Sequence, residues 1–519
     1  MSFDNFWGLA QKQPDHVAVV EVDEQQYTAG ELLAGVNQLS HGLQALGLQR
    51  GDSIAAMLPN SLQALELYLA MQQIGLYLTP INYHLVGPEI AYILQDCEAK
   101  VFVVHQDYAE ACRAAVAETG FAPDRVFSVG PLDGFRGYDD LKNGQPTTPP
   151  DERTLGAVMN YTSGTTGRPK GVRRPLPESA IDETDLGVAL YGYNVTRDEP
   201  GNVHLLACPW YHTAPMVMVS PSIHLGHTVV IMDRFQPERA LRLIHTYRVT
   251  LTHLVPTQFV RLLAVADDER QEFDTSSLRH VIHGAAPCAP ELKRRMIEWF
   301  GPVIDEYYAS TEGVGGTIIF SDEWLTKPGS VGKARDDNVV VIMDDEGNIL
   351  PPRQIGTVYS SNRNRIAFEY YKDPEKTERS KRGEYRTVGD VGYLDEDGYL
   401  YLSDRKADMI ISGGVNIYPA EIESVLINHP RVADVAVFGI PNSEWGEEVK
   451  AVVELLPGKR SDPEEQVRLE LLEFLQGRVA RYKLPRSIDF MDALPRDPNG
   501  KLYKRRLRDP YWAGQQRAI

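Results

Sequence analysis

Two hydroxyl pairs set between glycines are the first residues in this sequence with an evident chemical use. In YTSGTTGRPKGV (161–172), Thr162-Ser163 and Thr165-Thr166 flank Gly164, Gly167 follows, and Lys170 adds a positive charge. Glycine lets backbone N–H groups approach an anion closely, and hydroxyls supply further donors. The expected ligand of such a segment is a polyphosphate. It is not a Walker A loop, because no Gly-Lys-Ser/Thr follows the first glycine at the required spacing.

Four more segments carry chemistry. YYASTEG (307–313) places an aromatic residue, a hydroxyl and one carboxylate in a short stretch, and a lone carboxylate with phosphate oxygens can hold a magnesium ion that keeps its waters. GDVGYLDEDGYLYLSDR (389–405) offers Asp390, whose carboxylate can accept hydrogen bonds from two hydroxyls, and ends on Arg405. PRDPNGKLYKRR (495–506) carries Lys501. PWYHTAP (209–215) carries His212 among aromatic residues.

Together these segments resemble the signatures of the adenylate-forming superfamily, which comprises acyl- and aryl-CoA ligases, luciferases and peptide-synthetase adenylation domains. The resemblance covers nearly the whole chain, in the family's order. It implies that Thr162, Ser163, Gly164, Thr165, Thr166, Gly167 and Lys170 hold the β- and γ-phosphates of ATP. Tyr308 would stack on adenine, with Gly284 and Ala285 of HGAAP (283–287) as the opposite wall; alone, that segment equally suits a helix start. Thr311 would lie near the α-phosphate, Glu312 would hold Mg²⁺, Asp390 would take the ribose hydroxyls and Arg405 the ribose and phosphate. Lys501 would enter the site for adenylation, a cation where negative charge develops. His212 would lie beside the acyl carboxylate. Ala309 stands in place of the common glycine, and Val388 precedes Gly389 where Thr-Gly-Asp is commoner, which puts that strand's register in question.

The resemblance implies a two-step reaction. The acid's carboxylate attacks the α-phosphorus of ATP and pyrophosphate leaves; a thiol, most simply that of coenzyme A, then displaces AMP. A small C-terminal domain turns between the steps about a pivot at Ala407. Ser412-Gly413-Gly414 resembles the strip along which pantetheine enters, and Trp445 would border it. PWYHTAP offers no Asp to pair with a substrate ammonium, so an amino acid is not the expected substrate. Met216, Val217 and Met218 follow His212, and Gly313, Val314, Gly315 and Gly316 follow Glu312. Adaptable methionine and missing side chains suit a hydrophobic acid: a medium- or long-chain fatty acid, or a bulky cyclic one of steroid type. The alternatives are an acyl-AMP ligase that loads a carrier-protein thiol, a luciferase-type oxidation, and a non-catalytic nucleotide-binding regulator. Against the last stands the joint presence of Glu312, Asp390, Arg405 and Lys501.

The elements that must position these residues follow from periodicity. Apolar residues at helical spacing over 31–48, then SIAAML, a second helical stretch from 61 and the run KVFVV predict α/β units on a mainly parallel sheet. The pattern resumes at 203–233, 239–263 and 278–319. From 330 to 405, DDEGNIL and LDEDGYLYL place acidic-Gly turns between short strands, a hairpin signal. Asp395 and Asp397 do not make a calcium loop, since Gly398 falls at the fourth position. MIISGGVNIYPAEIESVL predicts a strand, a Gly-Gly turn and a Pro-initiated helix. The expected fold is α/β: a large N-terminal domain of doubly wound sheets plus a small β-barrel over 1–405, carrying the ATP and acyl site, and a small mobile α+β domain over 406–519.

Bulk properties agree. A chain of 519 residues is too long for one ordinary core. With 53 Lys+Arg against 72 Asp+Glu the net charge is −19, which disfavours nucleic acid as a partner. The basic run 501–508 is either a solvated face or a patch for a phosphate-bearing ligand. Four scattered cysteines suggest reduced, buried thiols, and neither a signal peptide nor a spanning helix is evident. A cytoplasmic protein is expected; a homodimer is an allowed assembly.

Overall fold

The computed structural model describes residues 3–162, 169–196, 201–335, 337–362, 368–405, 408–413, 415–442, 444–456, 458, 462–496 and 502–513, the side chains of Asp404 and Arg405 apart. The chain divides into two compact units. The first comprises Met1–His253, Gln271–His280 and Arg365–Arg379; the second comprises Leu254–Arg270, Val281–Asn364 and Ser380–Ile519.

In the first unit, one sheet has six strands in the order Arg136–Gly137, Val126–Val129, Ala99–His105, Ser53–Met57, Tyr77–Pro80 and Ala157–Val158, every pair parallel. Ser53–Met57 is buried along its whole length, as an apolar run in a covered parallel sheet should be. Helix Ala29–Ala45 starts where Thr28 and Glu31 cap each other: Glu31 N–H donates to Thr28 Oγ1 at 3.2 Å and Thr28 N–H to Glu31 Oε2 at 2.8 Å. This reciprocal bond satisfies two of the donors a helix start leaves open. A second set of strands, Val17–Val20, Thr228–Ile231, Val203–Leu206 and Leu251–Leu254, also runs parallel. The periodicity thus predicts both element types and their parallel pairing. A three-stranded antiparallel sheet of Asn160–Thr162, Lys170–Arg173 and Glu369–Tyr370 completes the unit.

In the second unit, Ile304–Ala309 pairs parallel with His280–His283 and antiparallel with Gly315–Ile319. The region expected as a small barrel is a six-stranded antiparallel sheet, built on Asn338–Met343, Gly356–Asn362, Asp390–Leu394 and Leu400–Arg405. Two-residue strands, Lys381–Arg382 and Tyr385–Arg386, end it on one side, and it does not close on itself among the described residues. Both acidic-Gly segments are hairpin turns. In the second, Asp395 N–H donates to Tyr399 O at 2.9 Å and Gly398 has φ +82°. Asp395 and Asp397 take the ammonium of Lys327, at 2.8 and 2.6 Å, so this acidic pair holds a side-chain cation. Among the described residues no cluster of three metal-ligating side chains occurs.

Residues after 405 have a sheet and core of their own. Strands Ile410–Ser412, Val415–Ile417, Val432–Asn442, Gly446–Leu455 and Ser487–Met491 form one sheet. Helix Pro419–Leu426, with Pro at its first turn as anticipated, and helix Glu464–Leu475 pack on it around Ile410, Ile422, Val437, Leu471 and Ile488.

Candidate active site

In the first unit, the antiparallel pair Asn160–Thr162 and Lys170–Arg173 sets Thr162 opposite Lys170. Ser163, Gly164, Thr165, Thr166 and Gly167 lie outside the described residues. The shoulders of the segment are tied down. Tyr92 OH donates to Pro169 O at 3.0 Å and Tyr161 OH to Asp96 Oδ2 at 2.6 Å. Burial pushes the Tyr161 phenol pKa well up, so it stays a donor. Lys170 Nζ lies 3.2 Å from Asp373 Oδ2. The Asp373 carboxyl is held below its ordinary pKa, first by the Lys376 backbone N–H and then by Lys170. Asp373 was not anticipated; nothing in its local sequence marks it.

His212 is the N-cap residue of helix Thr213–His224. Its ring lies 4.4 Å from that of Tyr211, which meets Tyr83 edge-on at 5.0 Å; Tyr83 stacks on Tyr108 at 4.9 Å. Met216 and Met218 on the helix are buried and Val217 is exposed. Two asparagines hold this segment. Asn60 Nδ2 donates to Cys208 O at 3.0 Å and to Met232 O at 2.8 Å, while its Oδ1 accepts Trp210 N–H at 2.7 Å. Asn160 Nδ2 donates to Tyr211 O at 3.3 Å. The phosphate-loop strand and the segment before His212 are therefore directly joined. The available signal for Asn60 was a polar residue in LPNS, directly after an apolar strand.

In the second unit, Tyr308 closes on Asp390: its hydroxyl donates to Oδ2 at 2.7 Å and both residues are buried. Asp390 begins its strand opposite Arg405. The register left in question by Val388 is set by Thr387, whose Oγ1 accepts Gly389 N–H at 3.0 Å and donates to Val358 O at 2.8 Å. Thr311 and Glu312 occupy the tip of the hairpin between Ala309 and Gly315, closed by Ser310 N–H to Val314 O at 2.8 Å. Gly313, Gly315 and Gly316 all have positive φ. A Cβ on Gly315 would lie 2.7 Å from Tyr308 O, and one on Gly316 would lie 2.6 Å from Asn338. These two glycines serve left-handed backbone and close approach, not the open volume expected of them. Val314 is buried. Gly284 lies against Tyr307, where a Cβ would fall 2.7 Å from the ring, and Ala285 has φ +64°.

Further along, Gly413 N–H donates to Trp445 O at 2.7 Å, and a Cβ on Gly413 would lie 2.6 Å from the Trp445 ring. The two residues expected to border the same strip are in contact, and the indole occupies the space the glycine leaves. Lys406, Ala407, Gly414 and Lys501 lie outside the described residues. Arg496 and Leu502, on either side of the segment carrying Lys501, form a bridge to each other. Arg496 Nη2 also bonds Asp434 Oδ1 at 2.7 Å.

The chain thus carries a buried tyrosine–carboxylate pair, with Tyr308 late in a strand that has a parallel neighbour and Asp390 at the start of an antiparallel one, together with a paired-strand segment bearing Thr162 and Lys170 and a C-terminal α+β piece. The AMP-binding enzyme family matches residues 6–371, and the AMP-binding enzyme C-terminal domain matches residues 421–501; the chain belongs to this family. It is 34% identical over 523 residues to a long-chain-fatty-acid–CoA ligase of Mycobacterium tuberculosis, covering 98% of each. It is 30% identical over 518 residues to a fatty acid–acyl-carrier-protein ligase of Streptomyces coeruleorubidus, covering 98% of this chain and 96% of that one. Among solved structures, an anthranilate CoA ligase in complex with anthranoyl-AMP has a TM-score of 0.85 at 26% identity, covering 98% of both chains.

Proposed function

We propose that the protein is an AMP-forming acid–thiol ligase that converts a hydrophobic carboxylic acid to its adenylate and passes the acyl group to coenzyme A. The observation that carries this reading is the Tyr308–Asp390 hydrogen bond. It sets a flat aromatic face beside a buried carboxylate, the pair of groups a nucleoside needs for its base and its ribose hydroxyls.

In the first step a carboxylate oxygen of the acid bonds to the α-phosphorus and the bond to the bridging oxygen breaks, releasing pyrophosphate. Thr162, Lys170 and residues 163–167 hold the departing phosphates, Thr311 contacts the α-phosphate, and Lys501 brings a cation to the charge that develops there. Glu312, a single half-buried carboxylate at a hairpin tip, fits a magnesium ion that takes its other ligands from phosphate and water. Bound there, the ion would neutralise phosphate charge. In the second step the thiol sulfur bonds to the acyl carbon, AMP departs, and the thiol proton is lost to solvent. Residues 406–519 turn about Ala407 between the steps, bringing Gly413, Gly414 and Trp445 to the pantetheine.

For the acid, the support is the row Tyr108, Tyr83, Tyr211 and His212 with Met216 buried beside it. Medium- and long-chain fatty acids and bulky cyclic acids suit such a lining. The protein would work in the cytoplasm; among the described residues no helix is long and apolar enough to cross a membrane. The likeness to the Streptomyces carrier-protein ligase favours a second reading, in which the accepting thiol belongs to a carrier protein.

The test is thioester formation from ATP, CoA and a panel of acids. Octanoate and larger acids should give acyl-CoA and pyrophosphate. A clear preference for acetate or benzoate would overturn the substrate class, and acid-dependent pyrophosphate release without acyl-CoA would favour the carrier protein.

A further inference from the structure

Near the ends of two neighbouring strands in the second unit lies a buried group of ionisable side chains. His283 and Glu306 are register partners on the parallel strands His280–His283 and Ile304–Ala309. Lys293 Nζ, from helix Pro290–Phe300, is 2.8 Å from Glu306 Oε2, and His283 Nε2 is 3.5 Å from the same oxygen. Lys293 and His283 are 0% exposed and Glu306 is 6% exposed. Trp324 lies 4.9 Å from the ammonium and Phe259 meets the imidazole edge-on at 5.2 Å.

An ion pair taken this far out of water is costly, and apolar residues of similar volume often stabilise as well or better. Its location supplies a reason for keeping it. One residue beyond His283 stands Gly284, packed on Tyr307, and then Ala285 at φ +64°. A residue with a Cβ holds that conformation only where its surroundings over-determine it. Two residues beyond Glu306 stands Tyr308, bonded to Asp390. His283 and Glu306 thus precede two turns at the carboxyl ends of parallel strands, where open α/β sheets bind their ligands.

We propose that Lys293, Glu306 and His283 are positioning residues for the nucleotide: the fixed ammonium orients the Glu306 carboxylate, and the His283 imidazole packs against it. The two strand ends are thereby set so that the Gly284–Ala285 turn and the Tyr308 ring stand at the separation adenine requires. The inference rests on the nucleotide reading of Tyr308 and Asp390. An apolar replacement would fill the volume without fixing that registration.

The test compares the full-length wild type with K293M, K293M/E306M and H283Q, measuring the urea unfolding midpoint, the Kd for ATP by calorimetry and the KM for the acid. K293M strands a buried carboxylate and should lose stability. The double variant should unfold at or above the wild-type midpoint yet bind ATP about tenfold more weakly, with the acid KM unchanged. Recovery of ATP affinity together with stability would overturn the positioning role. Should the double variant not fold, H283Q decides: ATP affinity within about twofold of wild type overturns the role, and about tenfold weakening supports it. Wild-type protein that bound no ATP would overturn the nucleotide reading, and this inference with it. Wild type that bound ATP without acid-dependent pyrophosphate release would overturn only the activity.

Discussion

The phenol of Tyr308 donates a hydrogen bond to Asp390 Oδ2 at 2.7 Å across 82 residues of sequence. The bond fixes one carboxylate oxygen against the ring hydroxyl and so restrains how the carboxylate stands. Tyr308→Phe keeps the ring and loses the restraint, so the KM for ATP should rise by about threefold to tenfold. Asp390→Asn keeps one acceptor oxygen but replaces the charge and the other oxygen with an NH2 donor, and should cost roughly a hundredfold. Steady-state kinetics with varied ATP checks both; a wild-type KM in Asp390→Asn would sink the assignment.

Asn60 makes three hydrogen bonds from a position 2% exposed. Asn60→Ala leaves two carbonyls and one N–H without those bonds in a dry setting. At roughly 1–3 kcal/mol for each unsatisfied group, the loss is on the order of 3 kcal/mol or more. The first unit should unfold at lower urea, followed by tryptophan fluorescence, since Trp210 is one of the groups released. An unchanged midpoint would show that the bonds add nothing net.

Three histidines of the first unit are buried neutral. Burial lowers His204 to about 3, and His227 and His253 to about 4, from the ordinary 6.5. The unfolded chain therefore binds more protons than the folded one below pH 6.5. The stability these groups supply is complete above 6.5 and is lost as pH falls toward 4, at up to about 1.4 kcal/mol per pH unit for each. Glu66 and Glu306, whose pKa burial raises, act in the opposite sense. Urea midpoints from pH 7.5 to 4.5 should fall, and His253→Gln should remove its own share of the slope. A parallel slope in that variant would refute the account.

The two half-reactions should separate in the C-terminal piece. Ala407→Pro should leave acyl-adenylate formation and abolish thioester formation; loss of both would exclude Ala407 as the pivot. Gly413→Ala drives a methyl against the Trp445 ring, so it should raise the KM for CoA while pyrophosphate release on adenylation stays near wild type. Equal loss in both assays would place Gly413 in folding alone.

What the sequence made legible was local. The helical periodicity over 31–48, met by helix Ala29–Ala45, the acidic-Gly hairpins and the Pro-initiated helix each depend on residues a few positions apart. Tyr308 and Asp390 could be picked out as candidates from motif, but the bond joining them could not. Asn60, Asp373 and Lys293 escaped notice because their partners lie 148, 203 and 13 residues away and none sits in a recognisable pattern. Gly315 was misjudged for the same reason: an absent side chain can mean empty space or a neighbour already there, and only the fold places Tyr308 in the gap.

The tethered shoulders of the phosphate hairpin also have a bearing on loop length. Tyr92 grips Pro169, Tyr161 grips Asp96, and Thr162 faces Lys170. The distance that residues 163–169 must bridge is thus fixed from outside. The paired ends work as a gauge: the span they offer is set by the residues that tether them and not by those placed between them.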